Sequence, residues 1–278
     1  MLIQEKGEMM DFKNVILVMD LDGTLLSGVG DTSYLRKENE ALIKAFIKAG
    51  GTFSIATGRS TKNGYKDVKH LPLNFPLHLI NGALTLDHND FKTTIEAHYL
   101  DQGFYQDAVS YFNEDKAISV VVINEEGVYD LSHDGVIKSD HGFSYDPVKQ
   151  EDIPKNDIYK VAFIADKAHC DYLETKLANF SNASDVDFVR SLPRYLETLN
   201  QKANKGYAIR ASMKRLNLSY KTLVCVGDQM NDETMLKTAD LALVPSNADE
   251  RLKTAYQTLS KSHNDIILEE ILDVIKAL

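Results

Sequence analysis

The chain has few of the residues that would indicate a thiolate metal site or a disulfide framework. Only two of its 278 residues are cysteine, Cys170 and Cys225, and their spacing fits no metal-binding motif. Both lie in apolar segments, so we expect buried, reduced thiols of a cytoplasmic protein. The eight histidines are scattered, and no pair has the spacing of two ligands on one helix face. His88 lies in a polar segment between two strand-like runs, which favours a hairpin turn over a metal site.

Long apolar runs and an excess of positive charge are also missing. No run approaches the ~18–20 residues that a transmembrane helix requires, so we expect no membrane partner. Met1–Lys13 is mixed in charge and lacks the apolar centre of a signal peptide, and we expect it to be a loosely attached extension. The chain has 31 basic and 41 acidic residues, and its net charge of −10 disfavours a nucleic-acid partner.

The order of the apolar segments predicts an α/β core. Strand-like and helix-like segments alternate between residues 15 and 80, which is typical of a parallel sheet with right-handed crossovers, and the pattern resumes after residue 205. The predicted strands are Val15–Met19, Thr52–Ala56, Leu77–Ile80, Thr222–Val226 and Leu241–Val244, and the predicted helices are Tyr34–Ala49, Ser60–His70, Lys205–Leu216 and Asn231–Leu236.

The middle of the chain has a different pattern, in which paired strands are interspersed with helices. We therefore predict a Rossmann-like parallel-sheet core of residues 1–83 and 200–278, interrupted by an α+β cap domain of residues 84–199. The predicted elements of the insert are strands at Ala83–Leu86, Thr93–Leu100, Ile118–Asn124 and Lys160–Ile164, helices at Asp101–Glu114 and Lys167–Phe180, and a hairpin of Val186–Arg190 with Tyr195–Leu199.

Two acids directly follow the first strand. Asp20 and Asp22 are separated by one residue, and positions two apart in an extended chain point the same way, so both can face one small volume. Two like charges placed together cost free energy unless a cation, a shared proton or a substrate compensates them. An Asp-Gly-Thr sequence alone more often marks a turn or a helix cap. The buried strand and the second acid favour a functional site.

Three further polar clusters lie at strand ends or helix starts, where α/β sheets bind ligands. Thr57-Gly58-Arg59 follows the second strand, Lys205 opens a helix, and Gly227–Asp232 follows a later strand. Taken singly, each has an ordinary explanation as a turn, an exposed lysine or a helix cap. Together they supply carboxylates for a hard cation such as Mg²⁺, and a hydroxyl, an amine and backbone amides for phosphate oxygens. That combination indicates phosphoryl transfer.

These clusters resemble, in order, the four motifs of the haloacid dehalogenase superfamily. The resemblance covers nearly the whole chain, and its first and fourth motifs are the most specific. A large cap between the second and third motifs is similar to the Cof-type, subclass IIB-like branch of sugar phosphatases. The matching segments are Asp20-Leu21-Asp22-Gly23-Thr24, Thr57-Gly58-Arg59, Asn81-Gly82-Ala83, Lys205, Gly227-Asp228 with Asn231-Asp232, and Ser246-Asn247-Ala248.

The resemblance implies a role for each motif residue. Asp20 would be the nucleophile that forms an aspartyl-phosphate, and Asp22 would be the general acid and base. Mg²⁺ would bind the carboxylates of Asp20 and Asp228 and the backbone carbonyl of Asp22. The remaining implied roles are phosphate binding by Thr57, Gly58, Lys205 and Asn231, and support of the site by Asn81 and by Asp232, which is a less favoured direct metal ligand.

We therefore expect a cytoplasmic, Mg²⁺-dependent phosphatase that hydrolyses a small phosphomonoester, with a sugar phosphate as the favoured class. The alternatives are a phosphomutase or phosphotransferase on the same fold, and a non-enzymatic phosphosugar-binding regulator. Asp20 and Asp22 argue against the regulator, because binding alone needs neither a nucleophile nor an acid.

Two expectations about partners and specificity complete the interpretation. We expect a monomer or a small homo-oligomer. In the insert, Arg190 could donate hydrogen bonds to sugar hydroxyls and Tyr195 could pack on a sugar ring. The alternative is a solvated arginine and a core tyrosine.

Overall fold

The computed structural model describes residues 11–61, 68–133 and 147–278. Most of the predicted helix Ser60–His70 and most of the extension Met1–Lys13 lie outside these residues. The strands are β1 Val15–Met19, β2 Thr52–Ile55, β3 Leu77–Leu79, β4 Leu84–Leu86, β5 Thr94–Ala97, β6 Ser119–Asn124, β7 Val128–Leu131, β8 Ile158–Ile164, β9 Val186–Leu192, β10 Tyr195–Asn200, β11 Thr222–Val226, β12 Leu241–Val244 and β13 Gln257–Thr258. The helices are α1 Lys37–Lys48, α2 Gln102–Glu114, α3 Lys167–Leu177, α4 Lys205–Arg215, α5 Glu233–Thr238, α6 Glu250–Ala255 and α7 Ile267–Lys276.

The core is a five-stranded parallel sheet in the order β13–β12–β11–β1–β2. In β1, Leu17 pairs with Val224 of β11 on one side and with Phe53 of β2 on the other. Leu17 packs in the apolar cluster that includes α1 and α7, whereas Val18 packs in the cluster that includes α4 and α5. β1 is therefore buried on both faces, which is typical of a parallel sheet, and its carboxyl end lies at the same edge as those of β2 and β11.

A second sheet is antiparallel and has the order β7–β6–β8–β10–β9. One face carries Val122, Phe163 and Leu196 and packs against α2 and α3. The other face carries Ile123 and Leu199 and joins the apolar cluster of the core. The sheet thus lies between its own helices and the core, and the predicted fold class of an α/β core with an inserted α+β domain is confirmed.

The prediction that Leu77–Ile80 extends the parallel sheet is confirmed only in part, because β3 is parallel to β2 but joins it at a single bridge. β3 meets the core sheet through one bridge between Ala56 and His78, and it pairs antiparallel with β4, which in turn pairs with β5. The cause is the turn Ile80–Gly82, because its φ angles of 53°, 55° and 92° lie in the left-handed region and reverse the chain. The predicted domain boundary at residues 83 and 84 falls within this small sheet, and the boundaries remain predictions.

Both cysteines are buried, and neither forms a disulfide. Burial raises the pKa of the Cys170 and Cys225 thiols, so both stay neutral near pH 7. In the described ranges, no helix combines the length and the apolar character needed to cross a bilayer.

Replacing His78 with phenylalanine should make the fold less sensitive to acid. His78 is fully buried, and burial lowers its pKa from 6.5 to about 3. Between those values the unfolded chain binds a proton that the folded protein does not, so stability falls as the pH drops below 6.5. Because of this group, the free energy of unfolding should be about 2 kcal/mol lower at pH 5 than at pH 7. Urea unfolding at pH 7 and pH 5 measures it.

The half-exposed His70 offers a matched control, because His70→Phe removes an imidazole that is not buried in this way. We expect His70→Phe to have a free energy of unfolding close to that of the wild type at pH 7. An equal pH dependence in wild type and His78→Phe would show that His78 does not carry the acid sensitivity.

Candidate active site

Three carboxylates meet at the carboxyl edge of the core sheet. Asp20 directly follows β1, and Asp228 lies two residues beyond β11, the neighbouring parallel strand. Asp232 comes from the short 3₁₀ turn Met230–Asp232. One oxygen of each carboxylate lies within 4.8 Å of the others, and all three residues are buried. The pairing of β1 with β11 therefore brings together acids that are far apart in the chain.

Lys205 neutralises part of this charge. Its Nζ lies 2.6 Å from Asp20 Oδ1 and 2.5 Å from Asp232 Oδ1, and its side chain is 0% exposed, so the exposed-lysine alternative is wrong. Burial alone would lower the pKa of Lys205, but the two carboxylates outweigh burial and raise that pKa. Asn204 caps α4 by accepting a hydrogen bond from the Tyr207 backbone N–H, which sets Lys205 at the first position of the helix.

Asp232 stabilises the loop that carries Asp228 by accepting hydrogen bonds from its backbone. One of its oxygens accepts the hydrogen bond from Lys205, and the other accepts from the backbone N–H groups of Asp228 at 2.9 Å and Gln229 at 3.1 Å. Both carboxylate oxygens of Asp232 are therefore engaged with the protein itself. This geometry agrees with the supporting position predicted for Asp232.

The donor set fits a divalent cation. Thr24 donates a hydrogen bond of 2.8 Å to Asp228. Gly23 has a φ of 76°, and a Cβ at this position would lie 2.3 Å from the Asp228 carboxylate, so the close approach requires glycine. Burial raises the pKa of Asp20 and brings that of Asp228 to about 7, and neighbouring carboxylates add to both shifts. Three buried carboxylates face one ammonium group, an excess that a hard cation with oxygen ligands would neutralise.

Asp22 lies at the same strand end but has a different partner. Arg59 donates to both Asp22 oxygens, from Nε at 2.7 Å and from Nη2 at 2.5 Å. Arg59 also donates to Ser33 Oγ at 2.7 Å, and its side chain is buried, whereas that of Asp22 is half-exposed. No role for Arg59 follows from the sequence alone. Its place directly after a strand neighbouring β1 is the signal that could have found it.

The residues with predicted roles at the phosphate also come together. Thr57 follows Ala56 at the end of β2, and its carbonyl accepts a hydrogen bond of 2.9 Å from the Asn81 backbone N–H. Asn231 Nδ2 donates to Asn81 Oδ1 at 3.0 Å. A Cβ at Gly58 would lie 3.0 Å from that same Asn81 oxygen, so glycine permits the close approach. Thr57, Gly58, Asn81 and Asn231 therefore lie against one another.

The family model that matches this chain is that of haloacid dehalogenase-like hydrolases, over residues 17–271. The chain belongs to this family. The superfamily predicted from the four motifs is thus confirmed, and so is the prediction of a hydrolase. The Cof-type branch remains a prediction.

Individual relatives of this haloacid dehalogenase-like hydrolase agree with that assignment. A Buchnera aphidicola (subsp. Acyrthosiphon pisum) protein named "Putative phosphatase BU028/BU029" is 29% identical over 253 residues, which are 86% of this chain and 88% of the relative. The structure of BT1666, a phosphatase of the superfamily from Bacteroides thetaiotaomicron, has a TM-score of 0.80 at 19% identity and covers 99% of this chain and 98% of its own. That of BT4131, described as a subclass IIB sugar phosphatase, has a TM-score of 0.76 at 18% identity, over 94% of this chain and 98% of that one.

The two residues predicted to contact substrate from the insert lie on opposite faces of the antiparallel sheet. Arg190 shares the face that α3 covers and forms ion pairs with Asp171 at 3.1 Å and Glu174 at 2.8 Å. The cause is the alternation of side chains along β9, which places Arg190 on the face of Phe188. The hydrolase thus uses Arg190 within the insert, which argues against its predicted contact with substrate. Tyr195 is buried on the core-facing side.

Two charged residues on the core-facing side have no predicted role. Lys160 of β8 and Glu197 of β10 are both buried, and Lys160 Nζ lies 3.1 Å from Glu197 Oε1. Glu197 Oε2 also accepts a hydrogen bond of 3.1 Å from Asn81 Nδ2. Lys160 could have been noticed in the sequence, because it is a charged residue inside an otherwise apolar strand, and charged residues are uncommon at buried positions.

Proposed function

We propose that this hydrolase is a Mg²⁺-dependent phosphatase that cleaves a small phosphomonoester through a covalent aspartyl-phosphate. The observation that carries the proposal is the buried group of Asp20, Asp228 and Lys205 at the edge of the sheet. A carboxylate held beside a lysine and a second acid suits attack on a phosphorus whose oxygens need positive charge around them.

Asp20 would act as the nucleophile and Asp22 would transfer protons. The Asp20 oxygen that is not bound to Lys205 attacks phosphorus, and the bond from phosphorus to the leaving oxygen breaks. Asp22, protonated on an oxygen that Arg59 has released, gives the leaving oxygen that proton. Water then attacks the same phosphorus, Asp22 takes a proton from the water, and the bond to Asp20 breaks. The products are the alcohol and inorganic phosphate, and both acids return to their initial states.

Thr57, Gly58, Lys205 and Asn231 would bind the phosphate oxygens, with Asp232 and Asn81 in support. Mg²⁺ held by the carboxylates of Asp20 and Asp228 and by the Asp22 carbonyl would supply charge neutralisation. Lys205 stays cationic because two carboxylates surround it, so it can stabilise charge that develops on the transferred group.

The finer assignments rest on resemblance. The likeness to BT4131, described as a sugar phosphatase, supports a sugar phosphate as substrate and the Cof-type branch. A cap domain of residues 84–199 would cover the strand-end site and exclude water from it. We further propose a cytoplasmic protein that is a monomer or a small homo-oligomer, with no nucleic-acid partner.

Removing the divalent cation should abolish hydrolysis of p-nitrophenyl phosphate. Without a cation, three buried carboxylates and the substrate phosphate repel one another. The measurement is the rate of phosphate release in excess EDTA and after Mg²⁺ is added back. Thermal unfolding gives a second readout, because an ion that binds only the folded protein raises Tm. Full activity in chelator would overturn the metal assignment, and transfer only to an added alcohol would favour the phosphotransferase.

A further inference from the structure

The buried ion pair of Lys160 and Glu197 is not explained by the stability of the sheet. Both residues are buried, at 6% and 7% exposure, so both charges have lost most of their hydration. A buried ion pair is often no more stable than apolar side chains of the same volume. The pair lies on the face of the antiparallel sheet that looks toward the core. Glu197 also accepts a hydrogen bond from a residue outside its own sheet.

A chain of hydrogen bonds leads from Glu197 to the candidate active site. Asn81 Nδ2 donates to Glu197 Oε2 at 3.1 Å, and Asn81 Oδ1 accepts from Asn231 Nδ2 at 3.0 Å. Asn81 belongs to the left-handed turn that reverses the chain after β3, and Asn231 belongs to the loop that carries Asp228 and Asp232. One amide thus joins the antiparallel sheet to the edge of the parallel sheet.

The direction of these hydrogen bonds depends on Glu197. An ionised carboxylate can only accept, so it requires the NH₂ group of Asn81 and turns the Asn81 oxygen toward Asn231. Without an acceptor at position 197, only the hydrogen bond from Asn231 holds the Asn81 amide in its orientation, and rotation of that amide by half a turn becomes easier. Two NH₂ groups would then face each other between Asn81 and Asn231, and the side chain of Asn231 would lose its partner.

We propose that Glu197 is a positioning residue that acts through Asn81 on Asn231, so that the phosphate-binding surface is complete only when the antiparallel sheet is seated over it. Lys160 pairs with the buried carboxylate, its Nζ lying 3.1 Å from Glu197 Oε1. The inference rests on the proposed function, since it assigns Asn231 to phosphate binding. Under this proposal, phosphate binding depends on the contact between the insert and Asn81. That dependence is separate from any contact between the insert and the leaving group.

Two double variants separate this role from one in packing. Lys160→Met with Glu197→Gln removes the ion pair but keeps an acceptor for Asn81, whereas Lys160→Met with Glu197→Leu removes the acceptor too. Both are uncharged at these positions, and thermal unfolding should give them similar Tm values. Affinity for inorganic phosphate in the presence of Mg²⁺ is measured by calorimetry, and kcat and KM are measured with p-nitrophenyl phosphate.

We expect the leucine variant to bind inorganic phosphate roughly tenfold more weakly than the glutamine variant, with a matching loss in kcat/KM, since a hydrogen-bond acceptor has been withdrawn from a buried donor. Equal phosphate affinity in the two variants at similar Tm would overturn the proposal. A loss confined to the ranking of sugar phosphates, with phosphate affinity unchanged, would also overturn it and make Glu197 a substrate contact. Because calorimetry needs no turnover, failure of the wild type to hydrolyse any ester would count against the proposed function alone.

Discussion

Asp20→Asn should reduce phosphate release by at least about 10⁴-fold, because it removes the nucleophile on which the covalent route depends. The amide has nearly the shape of the carboxylate, and its oxygen can still accept the hydrogen bond from Lys205 Nζ that measures 2.6 Å in the native protein. The fold should therefore survive. Single-turnover and steady-state rates with p-nitrophenyl phosphate measure the loss, and thermal unfolding measures the fold.

An exposed acid offers the matched control. Asp273→Asn makes the same chemical change on α7, where the carboxylate is 60% exposed and pairs with Lys276. We expect its activity to equal that of the wild type. Wild-type turnover by Asp20→Asn would rule out a covalent aspartyl-phosphate, and an unfolded Asp20→Asn would show that the charge is needed for the fold.

Lys205→Met should lower kcat/KM by about 10²–10³-fold, the typical cost of removing one group that stabilises developing charge. Methionine has a similar length, so the volume of the site is retained. The variant should also lose about 3–5 kcal/mol of stability in chelator, since it leaves Asp20 and Asp232 buried without their cation. Urea unfolding with and without Mg²⁺ measures the second effect.

Lys202→Met is the control for this variant, because Lys202 is exposed three residues earlier in the same segment. Its activity and stability should stay close to those of the wild type. If Lys205→Met lost less than about threefold in kcat/KM, Lys205 would be a structural counter-ion of Asp232 rather than a ligand of the transferred phosphate.

The core of the site was predictable because its signals are local. A run of apolar residues that ends in Asp20 or Asp228 indicates both a buried strand and the edge at which it ends. Because the strands are parallel, their carboxyl ends lie at the same edge of the sheet, and no other signal is needed to place the two acids together. The burial of Lys205 was not predicted, because the two acids that pair with it, Asp20 and Asp232, are distant from it in the sequence.

The features that the sequence did not predict depend on distant partners. The run at Leu77–Ile80 reads as a strand, but its neighbour is decided by the left-handed turn at Ile80 and Asn81, an unusual conformation for isoleucine. The side of the insert that faces the core depends on which alternate residues of β9 and β10 meet α3. Without that register, Arg190 was favoured and Glu197 was overlooked.

The most direct test of the account is to look for a phosphoryl group on Asp20. In Asp22→Asn, the general base is absent, so hydrolysis of the intermediate should be slow, whereas p-nitrophenolate leaves without needing a proton. After an acid quench, mass spectrometry of the peptide that contains position 20 should show the mass of one added phosphoryl group, and Asp20→Asn should show none. A steady-state rate of phosphate release equal to that of the wild type, with an unmodified Asp20 peptide, would contradict the covalent mechanism.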